Sequence, residues 1–178
     1  AIVDEVKSLG ATDISIFGYG EPLLDYEIER KILYCHERNL RTFLTTNGSF
    51  LTKELANDLI LAGLDHIRIS GHGLCTEYFE KVHVGVRFGE WIRNVFNFIY
   101  INRKHNNRCT ISMTVIPMHG ETVGEIRNFW EPHVDFLEIW KPHNWTDGRM
   151  FRDVVRKKKT CGRPFNGPIQ INADGKMM

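Results

Sequence analysis

The sequence has no apolar run approaching the ~20 residues that cross a bilayer, so nothing in its 178 residues reads as a membrane span. It carries little net charge, +1 with histidine neutral. Composition therefore gives no reason to expect a nucleic acid or an anionic membrane as partner. Cysteines are few and scattered: Cys35, Cys75, Cys109 and Cys161 include no C-x-x-C pair. Such scatter fits reduced thiols better than a disulfide framework, and a cytoplasmic setting is expected. The opening AIVDEVKSLG lacks the apolar core of a signal peptide.

Apolar residues make up 42% of the chain, enough to bury one core. Both ends look cut. Ile2, Val3, Val6 and Leu9 form a helical face closed by Gly10, with no start signal before it. The ending PIQINADGKMM reads as a strand, an Asp-Gly turn and a second strand that stops as it begins. A fragment of a longer protein is expected.

Strand and helix patterns alternate along the chain. Strands are expected at 13–18, 41–47, 66–70, 109–117 and 135–140, and helices near 25–38, 52–62, 89–105 and 122–131. Thr52 suits an N-cap, and Thr122 with Glu125 reads as a capping box. In helix 89–105 the expected core stripe is Ile92, Val95, Phe96, Ile99 and Tyr100, with Phe88 and Trp91 assigned to packing. Alternating elements argue for a parallel sheet covered by helices.

Side-chain parity adds a second inference, because successive strand residues face opposite sides. Ile67 and Ile69 oppose Arg68 and Ser70; Ile111, Met113 and Val115 oppose Ser112 and Thr114; Leu137 and Ile139 oppose Glu138 and Trp140. One face is apolar and suits helices; the other is polar. A closed eight-stranded barrel fills its inner face with branched aliphatics, so an open, curved sheet around a wet cavity is expected. Simple exposure of that face is the alternative, though parallel sheets are rarely bare on one side.

In such folds functional groups collect where strands end. Those ends are Gly18 to Pro22, Thr45 to Gly48, Ser70 to His72, Thr114 to Pro117, and Trp140 to His143. Each is polar or glycine-rich, which favours a binding rim. Residues 149–163 form a basic stretch that reads as a solvated linker.

The ordered segments GYGEP, TTNGSFL, IRISGHG with EYFEKVH, ISMTVIP and EIWKP resemble radical S-adenosylmethionine (SAM) enzymes. The tail CGRPFNGPIQINADGKMM resembles the entrance to a SPASM-type auxiliary-cluster domain. The resemblance implies an open partial (βα)6-type barrel of parallel strands with its first strand missing. It also implies a core over 1–145, a basic linker over 146–160 and the beginning of the SPASM-like domain over 161–178.

The resemblance implies roles as well. Gly20, Glu21 and Pro22 match the Gly-Gly-Glu-Pro motif whose bare backbone receives the SAM ammonium group; Tyr19 replaces its first glycine, with Gly18 one step earlier. Thr46 and Asn47 fall near the SAM pocket, Ser70 at the ribose or carboxylate, Thr114 and Val115 at the adenosine, and Trp140 beside adenine or substrate. His83 stands roughly where many members carry an arginine for the SAM carboxylate. The family's [4Fe–4S] cluster is held by C-x3-C-x2-C in a loop that would precede residue 1; electron transfer there gives a 5′-deoxyadenosyl radical. Cys161 would be the first ligand of an auxiliary iron–sulfur cluster in the parent protein, and flavodoxin or ferredoxin a suitable electron donor. This chain alone should not turn over.

Other candidates are Arg68 and Glu138, a structural ion pair across the cavity or a substrate clamp, and His72 and His143 for substrate contact. His72 and Cys75 are too few for zinc. His36, His105 and His133 read as surface residues. Lys141 supports a competing reading, a Schiff-base lyase; a non-catalytic binding module is the third. The substrate, whether peptide, protein, sugar or small molecule, is not legible.

Overall fold

A computed structural model describes residues 2–18, 20–118, 120–141 and 168–172. The chain divides into two units, Ala1–Trp140 and Lys141–Met178. Tyr19, His143 and Cys161, together with the basic stretch 149–163, lie outside the described residues.

The first unit begins with helix α1 (Ile2–Ser8). Strands β1 (Asp13–Ile16), β2 (Arg41–Thr46), β3 (His66–His72), β4 (Thr110–Ile116) and β5 (Phe136–Ile139) follow. They are interleaved with α2 (Ile28–His36), α3 (Lys53–Leu61), α4 (Thr76–Val82), α5 (Phe88–Lys104) and α6 (Val123–Trp130). The strands form one parallel sheet in sequence order. This is the open α/β sheet that alternation of elements implied.

Local chemistry sets the elements. Thr52 accepts the Leu55 N–H and starts α3. Thr122 and Glu125 complete a capping box for α6. Two aspartates pin the lower ends of strands: Asp65 accepts the Thr42 N–H at 2.8 Å, and Asp135 accepts the Ile111 N–H at 2.7 Å. Each carboxylate reaches from the start of one strand to its neighbour, which helps fix register.

The core lies between the apolar face of the sheet and its helices. Leu44, Ile67, Ile69, Ile111, Met113 and Val115 pack with Ile32, Leu59, Val95, Phe98, Ile126 and Trp130. Burying a side chain of this size contributes about 1.5–3 kcal/mol, so this face carries the first unit's stability.

Three expectations are corrected. The buried stripe of α5 is Trp91, Val95, Phe98, Ile99, Ile101 and Asn102; Tyr100 is exposed, and Ile92 and Phe96 are half-buried. Trp91 and Phe98 join the core, while Phe96 stacks on Trp130 of α6 with centroids 6.0 Å apart. Helix α1 forms but buries none of its residues. Helix α4 and a 3-10 turn at Pro22–Leu24 were not expected at all.

Candidate functional site

The strand ends that parity and topology single out do converge on one edge of the sheet. Two glutamates tie the loops there. Glu21 Oε2 accepts the Asn47 N–H at 2.7 Å, and its Oε1 accepts both the Thr46 hydroxyl at 2.5 Å and the Leu23 N–H at 3.0 Å. The carboxylate thus caps the Pro22 turn and fastens the loop after β1 to the end of β2. Glu121 works alike on the other side, accepting Cys75 N–H at 2.8 Å and Met118 N–H at 2.9 Å. Hydrogen bonds to a charged acceptor are the stronger kind, each about 1.5–3 kcal/mol.

With Glu21 so engaged, the backbone beside it is what remains to meet a ligand. Gly20 has φ +109°, a conformation that L side chains rarely adopt, and among the described residues beyond their chain neighbours nothing comes within 4 Å of where a Cβ would stand on Gly18 or Gly20.

The polar face of the sheet frames a hollow of about 310 Å³, lined by residues of β1 to β4 with Phe17 and Trp140. Ser70 and Thr114, paired in register across β3 and β4, both line it. Thr114 is only 7% exposed, and its hydroxyl finds no hydrogen-bond partner among the described residues. A buried polar atom without a partner is rare and costly. Arg68 Nη2 meets Glu138 Oε1 at 2.9 Å, so the ion pair expected across the cavity forms. Arg68 Nε is a second buried orphan. Glu138 Oε2 in turn accepts the Trp140 indole N–H at 2.9 Å.

Other expected residues serve the scaffold. Asn47 Oδ1 accepts from the Ser49 amide and hydroxyl, and its carbonyl accepts the Trp91 indole N–H at 2.7 Å. The Thr46 and Val115 side chains are buried on the helix-facing side, so they can offer the hollow backbone only. His83, at the end of α4, is bound to His72: Nε2 lies 2.8 Å from His72 Nδ1, and its ring stacks on Phe79 at 4.2 Å. Burial lowers both imidazole pKa values, that of His83 to about 4, with neighbouring His72 adding to the effect. The pair is neutral near pH 7 and brings no positive charge to the rim. Lys141 follows the last strand and opens the second unit.

Sequence reasoning placed Ser112 on the polar face and Thr45 at a strand end, but passed over Phe43 and His66 on the same face and Glu121 at the rim. Parity could have found His66, two residues before Arg68, and Phe43, two before Thr45. Glu121 carries no such signal.

The residues fit SAM. A bare backbone at Gly18 and Gly20, uncrowded among the described residues, and an unpartnered hydroxyl on Thr114 are groups awaiting a polar ligand, and the hollow is of ligand size. They do not fit an iron–sulfur cluster: among the described residues no three metal-binding side chains converge. Burial pushes the Cys109 thiol up to about 12 and raises Cys35 as well, the opposite of what thiolate ligation needs.

An open parallel sheet with helices on one face and a ligand hollow on the other, entered from its carboxyl ends, defines a half-barrel small-molecule-binding fold. The chain belongs to the Radical SAM superfamily, whose model matches residues 1–130. It is 32% identical over 169 residues to Uncharacterized protein MJ0804 of Methanocaldococcus jannaschii, covering 94% of this chain and 53% of that one. It is 31% identical over 81 residues to PqqA peptide cyclase of Granulibacter bethesdensis, 46% of this chain and 21% of the cyclase. SuiB of Streptococcus suis, solved bound to S-adenosylmethionine, superposes with a TM-score of 0.62 at 20% identity, over 78% of this chain and 31% of SuiB. A second SuiB structure, bound to precursor peptide SuiA, gives the same TM-score and identity over 78% of this chain and 30% of SuiB. The chain thus spans about half the length of MJ0804 and less of the others. Among the described residues no helix is long and apolar enough to cross a membrane.

Proposed function

We propose that this chain is the SAM-binding core of a radical enzyme whose [4Fe–4S] ligands lie outside the described residues. The observation that carries the reading is the backbone at Gly18 and Gly20, uncrowded among the described residues and fastened beside the end of β2 by the Glu21 carboxylate. Such a cluster beside SAM would supply a 5′-deoxyadenosyl radical for hydrogen abstraction. This chain's residues bind and orient. Gly20 and its neighbours receive the SAM ammonium group, and Glu21 and Pro22 keep that backbone from collapsing. Ser70 and Thr114 offer hydroxyls to the nucleoside, and Trp140, steadied by Glu138, borders it. The neutral His72–His83 couple stands where a cation would ordinarily meet the SAM carboxylate, so it recognises that group by a hydrogen bond rather than by charge.

The finer assignments belong to the same proposal: a SPASM-type continuation after residue 160, Cys161 as auxiliary-cluster ligand, flavodoxin or ferredoxin as electron donor, and His143 as a substrate contact. A peptide substrate is supported by the peptide named with SuiB and by the peptide cyclase among the relatives. Superfamily membership supports SAM chemistry over Lys141 Schiff-base catalysis.

Anaerobic reconstitution of the whole protein with iron, sulfide, reductant and SAM should yield 5′-deoxyadenosine. Absence of that product above background, with the cluster loaded, overturns the reading.

A further inference from the structure

The hollow has a floor whose residues the SAM reading leaves without a role. Ser15, Phe43 and His66 lie in one register row across β1, β2 and β3, and Thr45 and Arg68 in the next row up. The Phe43 ring leans against the His66 imidazole, with centroids 5.2 Å apart and planes at 50°. Phe17, 65% exposed, and Trp140, 39% exposed, complete an aromatic wall around the same space. Rings left uncovered along one hollow mark a surface kept for binding, and aromatic side chains favour stacked or edge-on ring partners.

Charge and hydrogen-bonding capacity narrow the guest. Arg68 is the one cation among the described lining residues, and Glu138 neutralises it at 2.9 Å. A polyphosphate would have to break that pair. At the floor, His66 Nε2 lies 2.7 Å from the Ser112 hydroxyl. Desolvation and nearby Arg68 hold His66 neutral, against weaker opposing influence from Asp135 and Glu138. A neutral imidazole whose Nε2–H donates to Ser112 leaves Nδ1 as an acceptor.

We propose that this floor is a specificity subsite for an uncharged aromatic ring bearing one hydrogen-bond donor, a phenol or an indole. The ring stacks against Phe43, and its donor meets His66 Nδ1. The proposal rests on the reading of the hollow as the SAM pocket of a radical enzyme, and it names what the floor of that hollow selects.

The test is equilibrium dialysis with the whole, cluster-loaded protein. The probes are N-acetyl-tyrosinamide, N-acetyl-phenylalaninamide and N-acetyl-alaninamide, with GTP as the anionic competitor. Tyrosinamide should bind at least tenfold more tightly than alaninamide, and GTP should not displace it. Phe43→Ala should weaken tyrosinamide at least tenfold; Phe43→Leu, closer in volume, replaces it if the alanine variant does not fold. His66→Leu should abolish the preference for tyrosinamide over phenylalaninamide. A hexapeptide with central tyrosine that binds more tightly than the amide identifies a peptide as the source of the ring, whereas equal affinity identifies a free aromatic molecule; either supports the subsite. Equal binding of tyrosinamide and alaninamide, or displacement by GTP, overturns it. SAM retention is measured in parallel. Retained SAM without aromatic preference overturns the subsite alone, and aromatic preference without SAM retention overturns the radical-enzyme reading alone.

Discussion

The two faces of the sheet are built from alternate residues of the same strands, yet they are finished to different standards. On the helix side Ile67, Ile69, Met113 and Val115 are sealed. On the other side Arg68 and Glu138 keep 38% and 35% of their side chains exposed. Arg68 Nε and Thr114 Oγ1 lie buried there without partners among the described residues, while the helix side has one such atom, the Trp130 indole nitrogen. On the proposed reading one face is closed by packing and the other by a ligand. Substitutions on the first should therefore register as lost stability, and substitutions on the second as lost binding.

The strongest challenge to that division is Trp91→Ala. The indole is buried and donates to the Asn47 carbonyl at 2.7 Å. Truncation should cost about 3–5 kcal/mol, read as a lower denaturation midpoint, and should impair SAM binding because Asn47 carries the Glu21 anchor. Full SAM affinity in a folded variant would separate the core from the rim. Next is Glu21→Gln, whose amide nitrogen cannot accept the bonds the carboxylate takes. A loss of about 1.5–3 kcal/mol with weakened SAM binding is expected by denaturation and dialysis. Thr114→Val should do the reverse of a core mutation. Removing an orphaned hydroxyl should leave stability unchanged or raise it by about 1 kcal/mol, while SAM affinity falls.

Acid should act through the rim. His72 and His83 have folded pKa values below the ordinary imidazole value of 6.5. Above that value both states are neutral. As pH falls from there toward about 4, the unfolded chain takes up protons that the folded pair refuses, so stability declines. Melting curves of wild type and His83→Phe across this window should converge as pH falls. The smallest effect belongs to Arg68 and Glu138: a double-mutant cycle should give a stability coupling of about 0.2–1 kcal/mol, with any larger change confined to substrate binding.

Much of this was legible because strand parity is a local rule. The alternation in HIRIS, ISMTVI and FLEI separates the two faces without knowledge of their neighbours. The caps at Thr52 and Thr122 were readable for the same reason. What escaped depends on distant partners. Nothing near Glu21 announces that its carboxylate ends on Asn47, twenty-six residues away. Nothing near Glu121 announces Leu74 and Cys75, and which face of α5 is buried depends on helices far along the chain. Helix α4 escaped through brevity, since Cys75 makes no side-chain cap.

Gly71 gives this layout a practical edge. A methyl group there would stand 2.9 Å from the Trp91 ring, and Trp91 leads through Asn47 to Glu21, so an alteration at that point would travel to the cofactor's doorway. Phe43 and His66 lie nearer the amino ends of their strands. Anyone wishing to redirect this scaffold toward new chemistry has a natural library in those inward positions, with the keystone beneath Gly71 left untouched.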